Sequence, residues 1–299
     1  MKVLVTGAEG MLGSALCPEL RHRGHEVIPT DLEPRSSDTI QLDVRDEGAV
    51  HAVLTAERPQ FLLHLAAETD VDRCEREPAH AYLTNAVGTE YLASACGRYR
   101  LRMLYVSTAG VFNGLKPTPY VESDQPDPVN VYGRAKLSGE FAVRHHAPSH
   151  HLIVRAGWMV GGHDRDKKFA GKILQLLQTR NTLSVVTDKI GSPTFTEDLA
   201  RGIATVIETE HVGVFHMTNQ GVCSRYEFAC KLVEFLGRRD VTIRPITSEA
   251  FPLPAPRAPS EAMANQRLQS LGLDQMPPWQ EALRTYVQRY LAAGALQQV

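Results

Sequence analysis

Short β-branched apolar runs alternate with helical stretches through the first half of the chain. Lys2–Thr6, Glu26–Thr30, Phe61–Leu65, Arg102–Ser107 and His151–Arg155 read as strands. Between them, Met11–Arg23, Asp46–Glu57, Ala79–Tyr99 and Asn130–His145 carry apolar residues at helical spacing. Leu12, Ala15, Leu16 and Leu20 line one face of the first of these helices. Strands alternating with helices predict crossover connections and an α/β fold, a Rossmann-type doubly wound parallel sheet. Beyond Arg155 the alternation fades. Helices are expected at Phe169–Gln178, Thr196–Glu208 and Arg225–Leu236, and strands near Leu183–Thr187 and Val212–Met217. Phe251–Pro259 reads as a Pro-rich loop, and two amphipathic helices close the chain. The expected organisation is a Rossmann domain over 1–156 and a smaller C-terminal α/β substrate lobe over 157–299. Elements from about 190–220 are left free to return to the first domain.

Composition narrows the function classes. Of 299 residues, 43% are apolar and 22% charged, the balance of an ordinary globular protein. A formal charge of −2 argues against nucleic acid or an anionic membrane surface as a partner. Five cysteines (Cys17, Cys74, Cys96, Cys223, Cys230) are an odd number without a C-x-x-C pair. That pattern predicts buried thiols in a reducing compartment. Met1-Lys2 runs directly into a strand and no apolar run approaches a membrane span, so a cytoplasmic protein is expected. His145, His146, His150 and His151 surround Pro148 in a spacing that matches no closed zinc site; a solvated loop is expected there, and no metal.

Candidate chemistry begins at the first turn. Gly7, Gly10 and Gly13 are spaced G-x-x-G-x-x-G between a strand and an amphipathic helix, with Met11 and Leu12 opening the helix. Glycines there permit a tight turn and close approach of a pyrophosphate to the helix N-terminus. Asp31, after the second strand, is placed to accept hydrogen bonds from an adenosine ribose and to disfavour a 2′-phosphate. Arg35 lies close enough in sequence to favour that phosphate, so NADP and NAD both stay open as cofactor. Asp43 and Val44 end a further short segment and are candidates for the adenine edge.

Tyr132 and Lys136 stand four residues apart on one face of a predicted helix. An unperturbed phenol titrates near pKa ~10, so a neighbouring ammonium is the expected means of lowering it. Such a phenol protonates the oxygen formed when hydride reaches a ketone. A chance Y-x-x-x-K occurs in about one chain in four of this composition, so the pair gains weight only from its context. Ser107-Thr108 supplies some, placing hydroxyls at the carboxyl end of a strand, where ligands bind in open α/β sheets.

With these pieces in place, the sequence resembles the dTDP-4-dehydrorhamnose reductase family of the extended short-chain dehydrogenases/reductases. The resemblance runs over nearly the whole chain. It rests on VTGAEGMLG (Val5–Gly13), HLAAETDVDRCE (His64–Glu75), VSTAGVFNG (Val106–Gly114), NVYGRAKLSGE (Asn130–Glu140), RAGWMVGG (Arg155–Gly162), DKIGSPTFTEDLA (Asp188–Ala200) and GVFHMTNQGVCSRYEFA (Gly213–Ala229). It implies NAD(P)H-dependent reduction of the 4-keto group of a dTDP-linked 6-deoxy sugar. It gives Thr108 the substrate hydroxyl contact, Tyr132 the proton and Lys136 the grip on the cofactor. It further implies that Ala66, Ala67 and Thr69 line the cofactor and that Trp158 meets the sugar. Arg257 and the basic run Arg165–Lys168 are candidates for the substrate diphosphate. The sequence departs from the family pattern at Ala109-Gly110, where Asp-Tyr is usual, and at Glu68, where an aromatic or His is usual. Ala109-Gly110 cannot transfer protons, which argues against a 4,6-dehydratase. A nucleotide-sugar 4-epimerase and a non-catalytic NADP-binding regulatory subunit are the alternatives. A homodimer is left open.

Overall fold

The computed structural model describes residues 1–292. In chain order the strands are β1 (Lys2–Thr6), β2 (Glu26–Asp31), β3 (Ile40–Gln41), β4 (Phe61–His64), β5 (Arg102–Thr108), β6 (His151–Ala156), β7 (Trp158–Val160), β8 (Thr182–Val186), β9 (Ile190–Gly191), β10 (Pro193–Phe195), β11 (Gly213–His216), β12 (Cys223–Ser224), β13 (Thr242–Ile246) and β14 (Ser260–Glu261). The helices are α1 (Gly13–His22), α2 (Glu47–Glu57), α3 (Val71–Arg76), α4 (Pro78–Tyr82), α5 (Gly88–Tyr99), α6 (Val131–His146), α7 (Phe169–Leu176), α8 (Thr196–Ile207), α9 (Arg225–Phe235), α10 (Gln266–Ser270) and α11 (Trp279–Ala292).

Seven strands form one sheet in the order β11-β6-β5-β4-β1-β2-β3, and every pairing in it is parallel. The expected Rossmann-type architecture is therefore present. Its strands are continuous apolar runs because both faces are covered. On one face Leu16 and Leu20 of α1 pack with Leu199 and Ile203 of α8 over Val3, Val5, Leu104 and Val154. On the other, Leu54 of α2 and Leu92 and Cys96 of α5 cover Leu4, Leu62 and Tyr105. The outer strand β11 comes from far along the chain and pairs with β6 from Gly213↔Leu152 to His216↔Arg155.

Two elements differ from the sequence expectation. The helix expected over Ala79–Tyr99 runs unbroken but widens into a π-type turn at Leu83–Val87, between α4 and α5. Asn85, buried in that turn, holds the backbone of Glu68 at both ends: its Oδ1 accepts from the Glu68 N–H (2.9 Å) and its Nδ2 donates to the Glu68 carbonyl (2.9 Å). The second difference is a set of two- and three-residue strands. β9 pairs with both β12 and β14, and β7 with β10. Beyond β7 a second core gathers Trp158, Ile173, Leu183, Phe228, Leu232, Trp279 and Leu283 beside the β8–β13 ribbon.

Candidate active site

Because the central sheet is parallel throughout, the carboxyl ends of its strands share one edge. Thr6, Asp31, His64, Thr108 and Ala156 end β1, β2, β4, β5 and β6 there. In open α/β sheets a ligand groove runs outside that edge, and the residues that follow these strand ends are placed to flank it.

At β1 the chain turns at Gly7 (φ 69°), where a Cβ would lie 2.8 Å from the Ala66 amide nitrogen. At Gly13 a Cβ would lie 2.4 Å from the Gly7 and Ala8 carbonyl oxygens. These positions exclude side chains and keep the turn tight against the start of α1, a cradle suited to a pyrophosphate. Gly10 donates to the Gly7 carbonyl (3.1 Å), Leu12 is buried, and Met11 packs under Gly162. The Asp31 carboxylate is fixed at the rim by the amides of Glu9 (2.9 Å) and Glu33 (3.2 Å). Arg35 is exposed nearby in sequence. Asp43 is chelated by Arg45 through contacts of 2.6–3.1 Å, and these hydrogen bonds hold its carboxyl below the usual range. Val44 is buried. Ala66 and Ala67 are half-buried after β4, where the Thr6 hydroxyl accepts from the amides of Leu65 and Ala66.

The basic run makes contacts the sequence did not suggest. Arg165 donates to the Glu9 carbonyl (3.0 Å), and Lys168 donates to the Thr69 carbonyl (2.7 Å) and hydroxyl (2.9 Å). These cations thus bridge the glycine turn and the loop after β4. Arg257 likewise pairs with Asp72 (3.0 Å) and the Ala255 carbonyl (2.7 Å).

Tyr132 reaches Thr108 because α6 starts unusually close to the end of β5. Asn130 caps the helix, accepting from the Gly133 amide (2.9 Å), while Glu75 accepts from Val131 (3.0 Å). A Cβ on Gly133 would lie 2.2 Å from the Gly110 carbonyl oxygen, so only glycine permits this approach. The Thr108 hydroxyl accepts from the Gly110 amide (3.0 Å) and lies beside the Tyr132 phenol. Burial pushes the Tyr132 pKa above its ordinary value, and the Thr108 contact pulls it partly back. The phenol is therefore protonated at neutral pH. The downward pull expected from Lys136 is supplied here by Thr108. Lys136 is buried over the Tyr105 ring (4.1 Å) and donates to the Val106 carbonyl (2.8 Å). Burial lowers its pKa to about 7, opposed by the Glu140 carboxylate.

Sequence reasoning missed what lies under and beside this pair. Glu140, buried in α6 one turn beyond Lys136, accepts from Ser107 (2.6 Å) and from Arg155 at both carboxylate oxygens (2.8 and 2.7 Å). Trp158, 8% exposed, donates its indole N–H to Glu261 (2.7 Å) and carries the Arg225 guanidinium 3.5 Å over its ring. Burial pulls Arg225 down to about 10, and the Glu261 carboxylate pulls it back up. Arg225 stood inside a quoted motif, whereas Glu261 carries no motif at all. Away from the groove, His146 meets Glu90 (3.5 Å) and His151 the Ala147 carbonyl (2.8 Å). Among the described residues no group of three His, Cys, Asp or Glu is gathered for a metal, and no helix is long and apolar enough to cross a membrane.

Comparison with known proteins agrees with this geometry. The family model described as RmlD substrate binding domain matches residues 1–292. The chain is 35% identical to the spore coat polysaccharide biosynthesis protein SpsK of Bacillus subtilis, covering 98% of this chain and 99% of that protein. It is 34% identical to the dTDP-4-dehydrorhamnose reductase of Mycolicibacterium smegmatis, over 98% of this chain and 86% of that one. Among solved structures, the dTDP-4-dehydrorhamnose reductase of Clostridium acetobutylicum superposes with a TM-score of 0.91 at 36% identity, covering 97% and 100% of the two chains. The Bacillus anthracis reductase, solved in complex with NADP, gives 0.90 at 34% identity, again over 97% and 100%. With a family model spanning 292 residues and relatives above 30% identity along nearly their full length, this chain belongs to the dTDP-4-dehydrorhamnose reductase family.

Proposed function

We propose that the chain reduces the 4-keto group of a dTDP-linked 6-deoxy sugar, using NADPH or NADH. The observation that carries this reading is the placement of Tyr132, at the start of α6, beside the Thr108 hydroxyl at the end of β5, next to the Gly7–Gly13 cradle and with Lys136 one helical turn along. The tight glycine turn and the fixed Asp31 carboxylate fit a nicotinamide dinucleotide; Ala66, Ala67 and Thr69 would flank it, with Asp43 and Val44 toward the adenine. When bound, the dinucleotide supplies the hydride.

The chain supplies the remaining chemistry. Because the Thr108 oxygen accepts from the Gly110 amide, its own hydrogen is free to turn toward a substrate oxygen. Tyr132, kept protonated by burial, gives its proton to the alkoxide that forms at C4. Lys136 holds the cofactor's ribose and offsets the phenolate left behind. Arg257 is placed by this reading near the substrate diphosphate, which it reaches by giving up Asp72.

The test follows absorbance at the reduced-nicotinamide band with purified protein, NADPH or NADH, and dTDP-4-keto-6-deoxyglucose, with and without a 3,5-epimerase. Stoichiometric consumption supports the reductase reading. Sugar interconversion with no net cofactor change would replace it with a 4-epimerase, and cofactor binding without turnover with a regulatory subunit. Tyr132→Phe is expected to lower kcat by at least ~10²-fold with cofactor binding kept, the scale of a lost general acid. A cytoplasmic location and a homodimer belong to the same reading. Four buried free thiols support the first, and light scattering tests the second.

A further inference from the structure

Gly110, buried at the end of β5, lies between two polar side chains. A Cβ there would meet only side chains, lying 3.4 Å from the Thr108 hydroxyl oxygen and 3.7 Å from Glu261 Oε1. The Thr108 hydroxyl and the Glu261 carboxylate therefore converge on Gly110. Glu261 comes to Gly110 from β14, whose pairing with β9 (Ser260↔Ile190, Glu261↔Gly191) fixes its backbone. Its other oxygen, Oε2, accepts from the Trp158 indole N–H at 2.7 Å.

Trp158 is itself immobilised. Arg225 stacks 3.5 Å over the ring, and the Gly191 backbone packs so tightly against it that a Cβ there would lie 2.3 Å from Cε2. Little of the indole is left to receive a sugar face. What the tryptophan offers the groove is a fixed donor that aims a carboxylate.

We propose that Glu261, aimed by Trp158 alongside Gly110 toward the Thr108 hydroxyl, is a sugar-specificity residue whose Oε1 accepts a hydrogen bond from a ring hydroxyl beside the reacting carbonyl. The inference rests on the nucleotide-sugar reading and deepens it. The ligand chemistry follows from the charges. Arg225 already stands close to the Glu261 carboxylate, so the pocket calls for a neutral donor rather than a second cation such as an amino sugar. Carboxylate acceptors make stronger hydrogen bonds than neutral ones, and a hydroxyl is the donor every unmodified hexose presents.

Binding, rather than turnover, tests this. The NADP⁺-saturated wild type and Glu261→Ala are titrated calorimetrically with dTDP-glucose and with dTDP, and Glu261→Gln serves as the volume-conserving control. The expected result is a loss of about 10-fold or more in dTDP-glucose affinity for Glu261→Ala, a smaller loss for Glu261→Gln, and unchanged dTDP affinity in both. Equal losses for dTDP and dTDP-glucose, no loss for either, or a wild type that binds neither ligand would overturn it. Failure of the reductase reading is seen separately, as wild-type protein that discriminates the two ligands yet never consumes reduced nicotinamide with dTDP-4-keto-6-deoxyglucose.

Discussion

Gly133→Ala isolates the geometric requirement of the site without removing any functional group. An added methyl would stand 2.2 Å from the Gly110 carbonyl oxygen and 2.8 Å from Pro128 Cβ. The first contact is with backbone and must open by roughly 1 Å to reach ordinary van der Waals distance. Two energies then compete. Overpacking costs about 1–3 kcal/mol, whereas replacing a helical glycine by alanine returns up to about 1 kcal/mol. Stability is thus expected to fall by up to about 3 kcal/mol, and the protein stays folded. Activity is more sensitive, because the displaced helix carries Tyr132 away from Thr108, and a misplacement of about 1 Å costs on the order of 10²-fold in rate. Steady-state kinetics on the dTDP-4-keto sugar, with urea denaturation alongside, gives both numbers. Gly48→Ala, in α2 and facing only the Asp46 side chain at 3.3 Å, controls for helix propensity. Wild-type turnover in Gly133→Ala would show that the close approach of α6 to β5 does not set the site.

Glu140→Gln strands the buried Arg155 guanidinium, and breaking one partner of such a pair costs on the order of 3–5 kcal/mol. A denaturation free energy within 1 kcal/mol of wild type would count against the pair as a structural element. Lys136→Met is expected to weaken cofactor binding and turnover together, read by nucleotide titration and kinetics, whereas a rise in sugar KM alone would contradict the role given to Lys136. His216 has its pKa lowered to about 3 by burial, with Arg155 adding to the effect. Between the ordinary value of 6.5 and 3 the unfolded chain therefore binds a proton that the folded one refuses, and stability falls with falling pH. His216→Asn should flatten that fall by up to about 1.4 kcal/mol per pH unit, measured by urea denaturation at pH 6.5 and 4.5. An unchanged slope would mean that His216 is not the group responsible.

Much of the nucleotide half was legible because local signals and tertiary placement coincide there. Gly7, Gly10 and Gly13 mark a turn that needs glycine, and a parallel sheet brings Asp31, Ala66 and Thr108 to one edge by topology alone. Legibility ended where a structure depends on a distant partner. The π-type turn at Leu83–Val87 has no composition of its own; it accompanies the bonds from Asn85 to the backbone of Glu68, and an isolated pattern reads as ordinary α-helix throughout. β9, β12 and β14 are two residues each and meet across gaps of more than thirty residues, so no periodicity announces them. Glu261 sits on such a strand. Glu140 and Arg155 were likewise invisible, since a buried ion pair looks in sequence like a solvated glutamate on a helix and an arginine ending a strand.

The return of the chain to the central sheet has a consequence for how the molecule can be divided. β11 closes the edge at β6, and α8 completes the apolar layer over β1, β5 and β6. A fragment ending at Ala156 would leave Leu152 and Val154 on an open edge strand and strip Leu199 and Ile203 from the face of α1. The nucleotide half is therefore not an autonomous folding unit. Its last strand is laid down only after 56 intervening residues have been made, so the sheet is finished late, and the chain should melt in one cooperative step instead of lobe by lobe.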